Sequence, residues 1–530
     1  MKATPNTKAY IVGGGIAGLA AAVYFIREAG LAPRNIVFFE ELDVLGGSLD
    51  ASGDAMHGYL MRGGRMFEEH YVCTYDLLSE IPSLDDPAIS ARNDIFHFTW
   101  NNNWRANARL IDAAGGIIDS SKMGFNWLDR LALFKLLFLS SESSLGEKRI
   151  NEVFPKHFFS SNFWLMWCTM FSFQPWHSAV EMRRYLLRFI QLFPQVADLT
   201  CVYHTRYNQL HSMIVPLQNW LNAKGVTCRT DTRVIDMDLL ESGIGFRVTS
   251  LKTTRKDGSD ERQIALGESD LVIFTNGSMT DASKNGDNTT PAPLSPTPLG
   301  GSWALWKTVA AKRAGFGNPD KFIRDVDGAK WLSFTATVRT PLLRKLIEGM
   351  THMTWGREGL ITFRDSSWFM TMHPHFRPVY PGQSEDVDIF WGYGLHPDAV
   401  GDYVKNKMSD CTGKELLRET YLQLHFEDHL DQLMAHSEAI PCMMPYITSQ
   451  FMPRAKGDRP DVVPAGSQNL AFVGQYAEAP EDVVFTVEYS VRTAYMAVKA
   501  LLEPKAKIPP VYKGQHDIGV LLAAARESLT

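Results

Sequence analysis

The sequence predicts an α/β protein: a discontinuous Rossmann-like dinucleotide-binding domain, an α+β substrate domain and helical additions. Three observations carry this prediction. A strand, a glycine loop, a helix and a second strand follow one another near the N-terminus. Short alternating runs between 226 and 277 read as a strand, a β-meander and a further strand. A strand, a glycine and a helix return near the C-terminus.

The first unit is KAYIVGGGIAGLAAAVYFIREAG. Ala9–Val12 is a short apolar strand, and an Ala-rich helix follows the glycines to about Ala29. Asn35–Phe39 is the next strand, ending at Glu40-Glu41. Gly13, Gly15 and Gly18 fit G-x-G-x-x-G: the first for a tight turn, the second for close approach of a pyrophosphate, the third for helix–strand packing. The helix N-terminus offers N–H groups and a positive dipole end to phosphates. Glu40 stands where an acid binds the adenosine ribose. Gly46-Gly47 follow in EELDVLGGSLD, and this Glu-x5-Gly-Gly spacing resembles FAD-binding oxidoreductases rather than NAD dehydrogenases.

The meander, with a Lys256-Asp257-Gly258 turn, leads into DLVIFTNG and ends in Asn276-Gly277. This arrangement resembles two-dinucleotide-domain flavoproteins. In NLAFVGQYAEAPEDVVFTVEYSVRTAYMAVKALL the strand meets Gly474, and a helix is expected from about Val483, aimed at the flavin end. The cofactor domain therefore comprises 1–110, 200–300 and 455–500. Substrate-binding and lid regions take 110–200 and 300–455, and 501–530 is a helical tail with a short amphipathic helix over 518–529.

Bulk composition narrows the function classes. The 530 residues carry a net charge of −6, with 45% hydrophobic and 21% charged residues. That is ordinary for a soluble globular protein of two or three domains, and it excludes the basic footprint of a nucleic-acid binder. The 13 Trp and 30 Phe suit a large apolar pocket or a large core equally. The six cysteines are scattered without C-x-x-C, which argues against a metal site or disulfide framework and for a cytoplasmic home. Neither Trp127–Leu139 nor Phe163–Phe173 reaches the roughly 18 apolar residues of a membrane span. Both read as amphipathic or buried helices, a pattern compatible with peripheral lipid contact.

EELDVLGGSLD, RGGRMFEEHYVCTYDL, FSFQPWHSAVEMRRYLLRF, TRYNQLHS, VIFTNGSMTD and FVGQYAEAPEDVVFTVEYSVRTA together resemble one family, the FAD-dependent fatty acid hydratases (oleate hydratases, or myosin-cross-reactive antigens). The strings run from near residue 10 to near residue 495. The resemblance implies addition of water across the cis double bond of a long-chain unsaturated fatty acid, oleate giving the 10-hydroxy acid, with FAD required but no net redox change.

Such a reaction needs an acid, a held water, stabilisation of developing positive charge and a dry apolar channel. The family's tyrosine acid falls on Tyr185, in a run over Ser178–Phe189 that looks helical, with Glu181 one turn before it. In many members the turn reads RGGRE, and its glutamate activates water. Here that position is Met66, which neither accepts a proton nor orients water strongly. Three readings stand: Glu68 or Glu69 reaches in; backbone carbonyls and the flavin orient the water; or hydration is lost. The turn suits flavin binding, since Gly63 and Gly64 let the backbone approach the isoalloxazine while Arg62 and Arg65 face phosphate or ring carbonyl.

By the same resemblance Asn208 contacts substrate or water, and His375 with Thr371 anchors the fatty carboxylate. The family's anchor-strand asparagine is missing, and the strand spacing is shortened. Val483 is the backbone expected at the flavin. His177 reads as a structural hydrogen-bonder, and Glu481-Asp482 as caps of the last helix. Two further functions stay open: a flavin-dependent oxidoreductase acting on a lipid or amine, and a non-catalytic fatty acid binding protein.

Overall fold

A computed structural model describes residues 4–64, 66–295, 299–503, 505 and 507–529. The first unit is β1 (Ala9–Val12), α1 (Ile16–Arg27) and β2 (Ile36–Phe39). α1 is buried without interruption from Ile16 to Phe25, as an Ala-rich helix lying between layers must be. A hairpin of β3 (Ala51–Asp54) and β4 (Gly58–Met61) follows, then β5 (Leu110–Ile111).

Helices α2 (Trp127–Phe134), α3 (Asn162–Phe171) and α4 (Ala179–Arg188) come next. Asn126, Ser161 and Ser178 cap their N-termini. α2 runs on as a π-helical turn over Lys135–Leu139. Trp127, Leu131, Phe134, Phe138 and Leu139 on this stretch are exposed. α3 is buried, as its aromatic sequence suggests.

The meander forms as β6 (Thr227–Arg229), β7 (Thr232–Ser242), β8 (Gly245–Arg255), β9 (Arg262–Ala265) and β10 (Leu271–Thr275). The remaining strands are β11 (Lys284–Asn285), β12 (Trp331–Val338), β13 (Ile361–Phe363), β14 (Met370–Pro374), β15 (Asp388–Gly394), β16 (Ser437–Met444) and β17 (Leu470–Val473). The chain closes with α5 (Val487–Leu502) and α6 (Ile518–Glu527).

The first sheet is parallel, in the order β17-β10-β1-β2-β6. Val12 lies beside both Phe39 and Phe274, so the strands end level and Gly13 emerges next to Glu40 and Thr275. A crevice at the carboxyl ends of such strands is where a parallel sheet binds its ligand. The second sheet runs β11-β16-β12-β15-β14-β13-β5, antiparallel except for β13 with β5. β7, β8 and β9 form the separate antiparallel meander.

Two details differ from the sequence reading. α5 begins at Val487, with Thr486 as its cap, rather than near Val483. The Pro480–Phe485 stretch is held instead by ion pairs and side-chain bonds. β11 pairs with β16 of the second sheet, although it lies inside the 200–300 stretch expected to belong to the cofactor domain.

The hairpin links the sheets. Tyr59 N–H donates to Thr337 Oγ1 at 2.9 Å and Met61 N–H to Thr335 Oγ1 at 3.0 Å, so β4 lies on β12 and delivers Arg62, Gly63 and Gly64 between the two units.

Glu358 is buried beside the second sheet. One oxygen accepts from Ala108 N–H and Oε2 has no partner among the described residues. Burial raises its pKa to about 7, with the Ala108 bond opposing the shift. The folded state then holds more protons than the unfolded chain between about pH 4.5 and about pH 7, so stability falls as pH rises through that window. Thermal melting followed against pH should show this decline, and Glu358→Gln should flatten it.

Candidate active site

The glycine loop builds a cradle. Gly13 adopts φ +100°, and a Cβ there would press on Thr275 at 3.0 Å. A Cβ on Gly18 would stand 2.3 Å from the Gly13 carbonyl, so this glycine lets helix and strand pack. A Cβ on Gly15 would meet no protein atom within 4 Å and would project into the crevice. Gly15 caps α1 without a side-chain bond, leaving first-turn N–H groups for an anion. Gly47, at φ +56°, packs against Gly15, and Gly46 N–H donates to Gly14 O at 3.1 Å.

Glu40 accepts from Gly14 N–H at 2.7 Å and from Leu42 N–H at 2.8 Å, and lines the crevice. Burial raises its pKa. Each oxygen keeps a lone pair free for a hydroxyl donor. Gly277 and Gly474 line the same crevice. These features fit a dinucleotide. Asn276 does not serve there: its side chain is fully buried and donates to Tyr476 O at 3.0 Å, tying β10 to the segment after β17.

A second chamber adjoins the cradle, with Ile16, Ser48, Arg62, Met279, Gln475 and Ser490 lining both. Tyr185 and Met66 stand on its wall, as do Gly63 and Gly64. Arg62 is held by Asp50, with Nη2 at 3.0 Å from Oδ2, at the junction of the two spaces. Arg65 lies outside the described residues. A Cβ on Gly64 would lie 2.2 Å from His373 Nδ1, so this glycine is required by the imidazole behind it.

Tyr185 is fully buried and donates its hydroxyl to Val484 O. The rings of Phe171 and Phe173 pack on it at 5.0 and 4.9 Å. Burial drives its pKa well above the ordinary phenol value, and Tyr71, Glu181 and Asp482 add to the shift. The phenol therefore stays protonated. Glu181 is spent elsewhere: Arg459 lies at 2.9 Å and Arg454 at 3.1 Å. Burial alone would raise its pKa, and these arginines bring it down to about 2.

Glu69 is exposed and faces away from the chamber. Glu68 lines the chamber but is engaged, accepting from His70 N–H at 2.8 Å and lying 2.8 Å from Arg188. Burial would raise its pKa, but the His70 hydrogen bond and the Arg188 charge hold it below the usual carboxylate range. A carboxylate so stabilised is a weak base.

The expected substrate contacts divide. Asn208 donates to Val379 O at 2.9 Å and accepts from His211 N–H at 3.2 Å, which is a turn role outside the chamber wall. Val483 is buried and does not line the chamber; Phe485, Thr486 and Val487 do. Asp482 caps no helix but pairs with Arg492 at 2.9 Å. His177 accepts from Gln174 N–H at 3.0 Å, a structural bond. Thr371 shares a hydrogen bond of 3.0 Å with Thr362, which also accepts from buried Arg109 at 2.9 Å.

His375 lines a smaller cavity across the Gly63-Gly64 turn, together with His373 and His204. The His373 and His375 rings lie 4.4 Å apart, and His373 Nδ1 and His375 Nε2 are buried without partners. Burial lowers His204 to about 3, His373 to about 4 and His375 further, so all three imidazoles are neutral. His373 and His204 escaped the sequence reading. The alternation in FMTMHPHF held the signal, since it places Met370 and Met372 on one face and Thr371 and His373 on the other.

A family model described as the MCRA family matches residues 6–499. An oleate hydratase of Streptococcus pyogenes serotype M49 (strain NZ131) is 41% identical, over 97% of this chain and 88% of that protein. A linoleate hydratase of Lactiplantibacillus plantarum is 34% identical, over 93% of each. The crystal structure of an oxidoreductase from Methanosarcina mazei matches with a TM-score of 0.53 at 12% identity, covering 93% of this chain and 100% of that one, a likeness of fold alone.

Gly15 separates folding from binding, because its Cβ position is open while that of Gly18 is blocked. Gly15→Ala should fold normally and lose at least about tenfold in dinucleotide affinity by flavin fluorescence titration. Gly18→Ala should instead lower the melting temperature of the protein without added cofactor.

Proposed function

The chain belongs to the MCRA family, and we propose that it adds water across the cis double bond of a long-chain unsaturated fatty acid, oleate to 10-hydroxystearate, with FAD as a non-redox cofactor. The observation that carries this reading is a predominantly apolar chamber that opens onto a dinucleotide cradle and has Tyr185 in its wall.

The residues divide the work. Gly13, Gly15, Gly18, Glu40, Gly47 and Gly474 would hold the dinucleotide, and Arg62, Gly63 and Gly64 would meet its flavin end. When bound, FAD would supply polar ring atoms at the junction lined by Arg62, Gly63 and Gly64. Phe171, Phe189, Leu192, Trp331 and Trp391 keep bulk water out. Tyr185 gives its proton to one alkene carbon, and water held near Met66 and the flavin adds to the other. Placement matters more than acidity for a phenol whose pKa is raised, because the loss of solvent and the fixed geometry do the work. The fatty carboxylate is anchored at His375, with the unpartnered His373 nitrogen beside it.

The exposed apolar stretch from Trp127 to Leu139 supports peripheral contact with a lipid surface, from which such a substrate would be drawn. No helix among the described residues is long and apolar enough to cross a membrane. The protein should co-sediment with phosphatidylcholine vesicles, and Leu131→Glu with Phe134→Glu should abolish that co-sedimentation while leaving turnover of detergent-dispersed oleate intact.

Anaerobic incubation with oleate, FAD and a chemical reductant in oxygen-18 water should yield a hydroxy acid carrying the heavy oxygen, read by mass spectrometry. Tyr185→Phe should lower this rate by ~100-fold or more. Oleate bound but unchanged would leave a binding protein, and a product lighter by two hydrogens would make the chain an oxidoreductase.

A further inference from the structure

The nucleophilic water must turn a lone pair toward carbon, so the protein has to accept that water's protons. Met66 offers no such acceptor. Most polar side chains on the chamber wall already have partners. Thr486 donates to Val483 O at 2.8 Å, Gln475 to Ser490 at 2.8 Å, and Tyr393 to Thr169 O. The indoles of Trp331 and Trp391 are unpartnered, but an indole N–H only donates. Glu68 Oε1 makes no hydrogen bond, but the Arg188 charge stands 2.8 Å from it and neutralises it as a base. Ser172 and Tyr71 are the hydroxyls left: both are buried on the chamber wall, and among the described residues neither has a hydrogen-bond partner.

Ser172 has a second peculiarity. It ends α3 in the left-handed conformation, at φ +65° and ψ +24°, with its N–H donating to Cys168 O at 2.7 Å. Glycine or asparagine is the ordinary occupant of such a position. A side chain there is strained, and the Ser172 hydroxyl makes no local bond that would offset the strain. Phe171 and Phe173, on either side of it, are the residues whose rings pack on Tyr185. The unpartnered hydroxyl is therefore held beside the proton donor, on a wall shared with Met66.

We propose that the Ser172 hydroxyl, with Tyr71 as second partner, holds and orients the attacking water in this chain, in the role an acid at position 66 takes in the family it resembles. This rests on the hydratase reading above. Tyr185 transfers its proton to one alkene carbon, and the π pair forms the new C–H bond. The water oxygen, its hydrogens accepted by Ser172 and Tyr71, gives a lone pair to the other carbon and forms the C–O bond. The proton released from that oxygen returns to the Tyr185 oxygen, so alkene and water give the alcohol with no net gain or loss of protons.

The test is Ser172→Gly, which removes the hydroxyl while giving the backbone the residue its conformation favours. Heavy-oxygen incorporation should show kcat reduced by at least about tenfold, with KM, flavin content and melting temperature unchanged. Adding Met66→Glu to this variant should restore hydration. Ser172→Asn, also tolerated in the left-handed region and able to accept a hydrogen bond, should keep kcat within about tenfold of wild type. Ser172→Gly hydrating at the wild-type kcat, or failing only through a raised KM, would overturn the proposal and hand the water to the turn carbonyls. A wild type that binds oleate without hydrating it would sink the hydratase reading itself, and this inference with it.

Discussion

One guanidinium ties together the three segments that build the chamber. Arg188 lies one turn beyond Tyr185 on α4, 2.8 Å from Glu68 after the Gly63-Gly64 turn and 3.3 Å from Asp482 before the Phe485–Val487 wall. It also donates to His70 O at 3.0 Å. Behind it, Asp482 meets Arg492, and Arg492 meets Glu488 at 2.9 Å. Glu488 in turn accepts from Cys73 N–H at 2.9 Å and Thr74 N–H at 2.8 Å. Each charge is buried and each has an opposite neighbour. Such a network adds little net stability, but loss of one member strands its partner at ~3–5 kcal/mol. Its effect here is positional, fixing where Tyr185 stands relative to the turn and the last wall segment.

That fixity determines what chemistry the chamber supports. Its lining places one cation, Arg62, at the junction with the cradle, and one anion, Glu68, already answered by Arg188. Every other described residue facing the space is neutral. Tyr185 keeps its proton because burial disfavours the phenolate. A flat apolar wall of Phe171 and Phe189, stacked at 5.1 Å, leaves little room for stray water to quench the developing charge. Met66 extends that apolar character along the wall it shares with Glu68.

The cradle was legible in the sequence, because its requirements are local. Gly13, Gly15 and Gly18 are set by turn, approach and packing within one strand–loop–helix unit, and Glu40 by the end of the next strand. The same locality made the helix within Ser178–Phe189 readable. A motif fixes the path of the backbone but not the direction in which each side chain turns. Asn276 turns behind the cavity to Tyr476, and Val483 packs inward while Phe485 faces the space. Asn208 lies on the smaller cavity with His373 and His375, its amide held by Val379 O and His211 N–H.

By itself the sequence determined the α/β class, the dinucleotide unit and the discontinuous path of the cofactor domain, since each depends on residues within a few turns or strands of one another. Only the tertiary structure decided which groups share a wall. Glu68 and Arg188, Gly64 and His373, Tyr185 and Val484, and the unpartnered hydroxyls of Ser172 and Tyr71 come together from segments far apart in the chain. Whether a polar group is spent or free depends on every neighbour that folding brings to it, and linear spacing does not carry that sum.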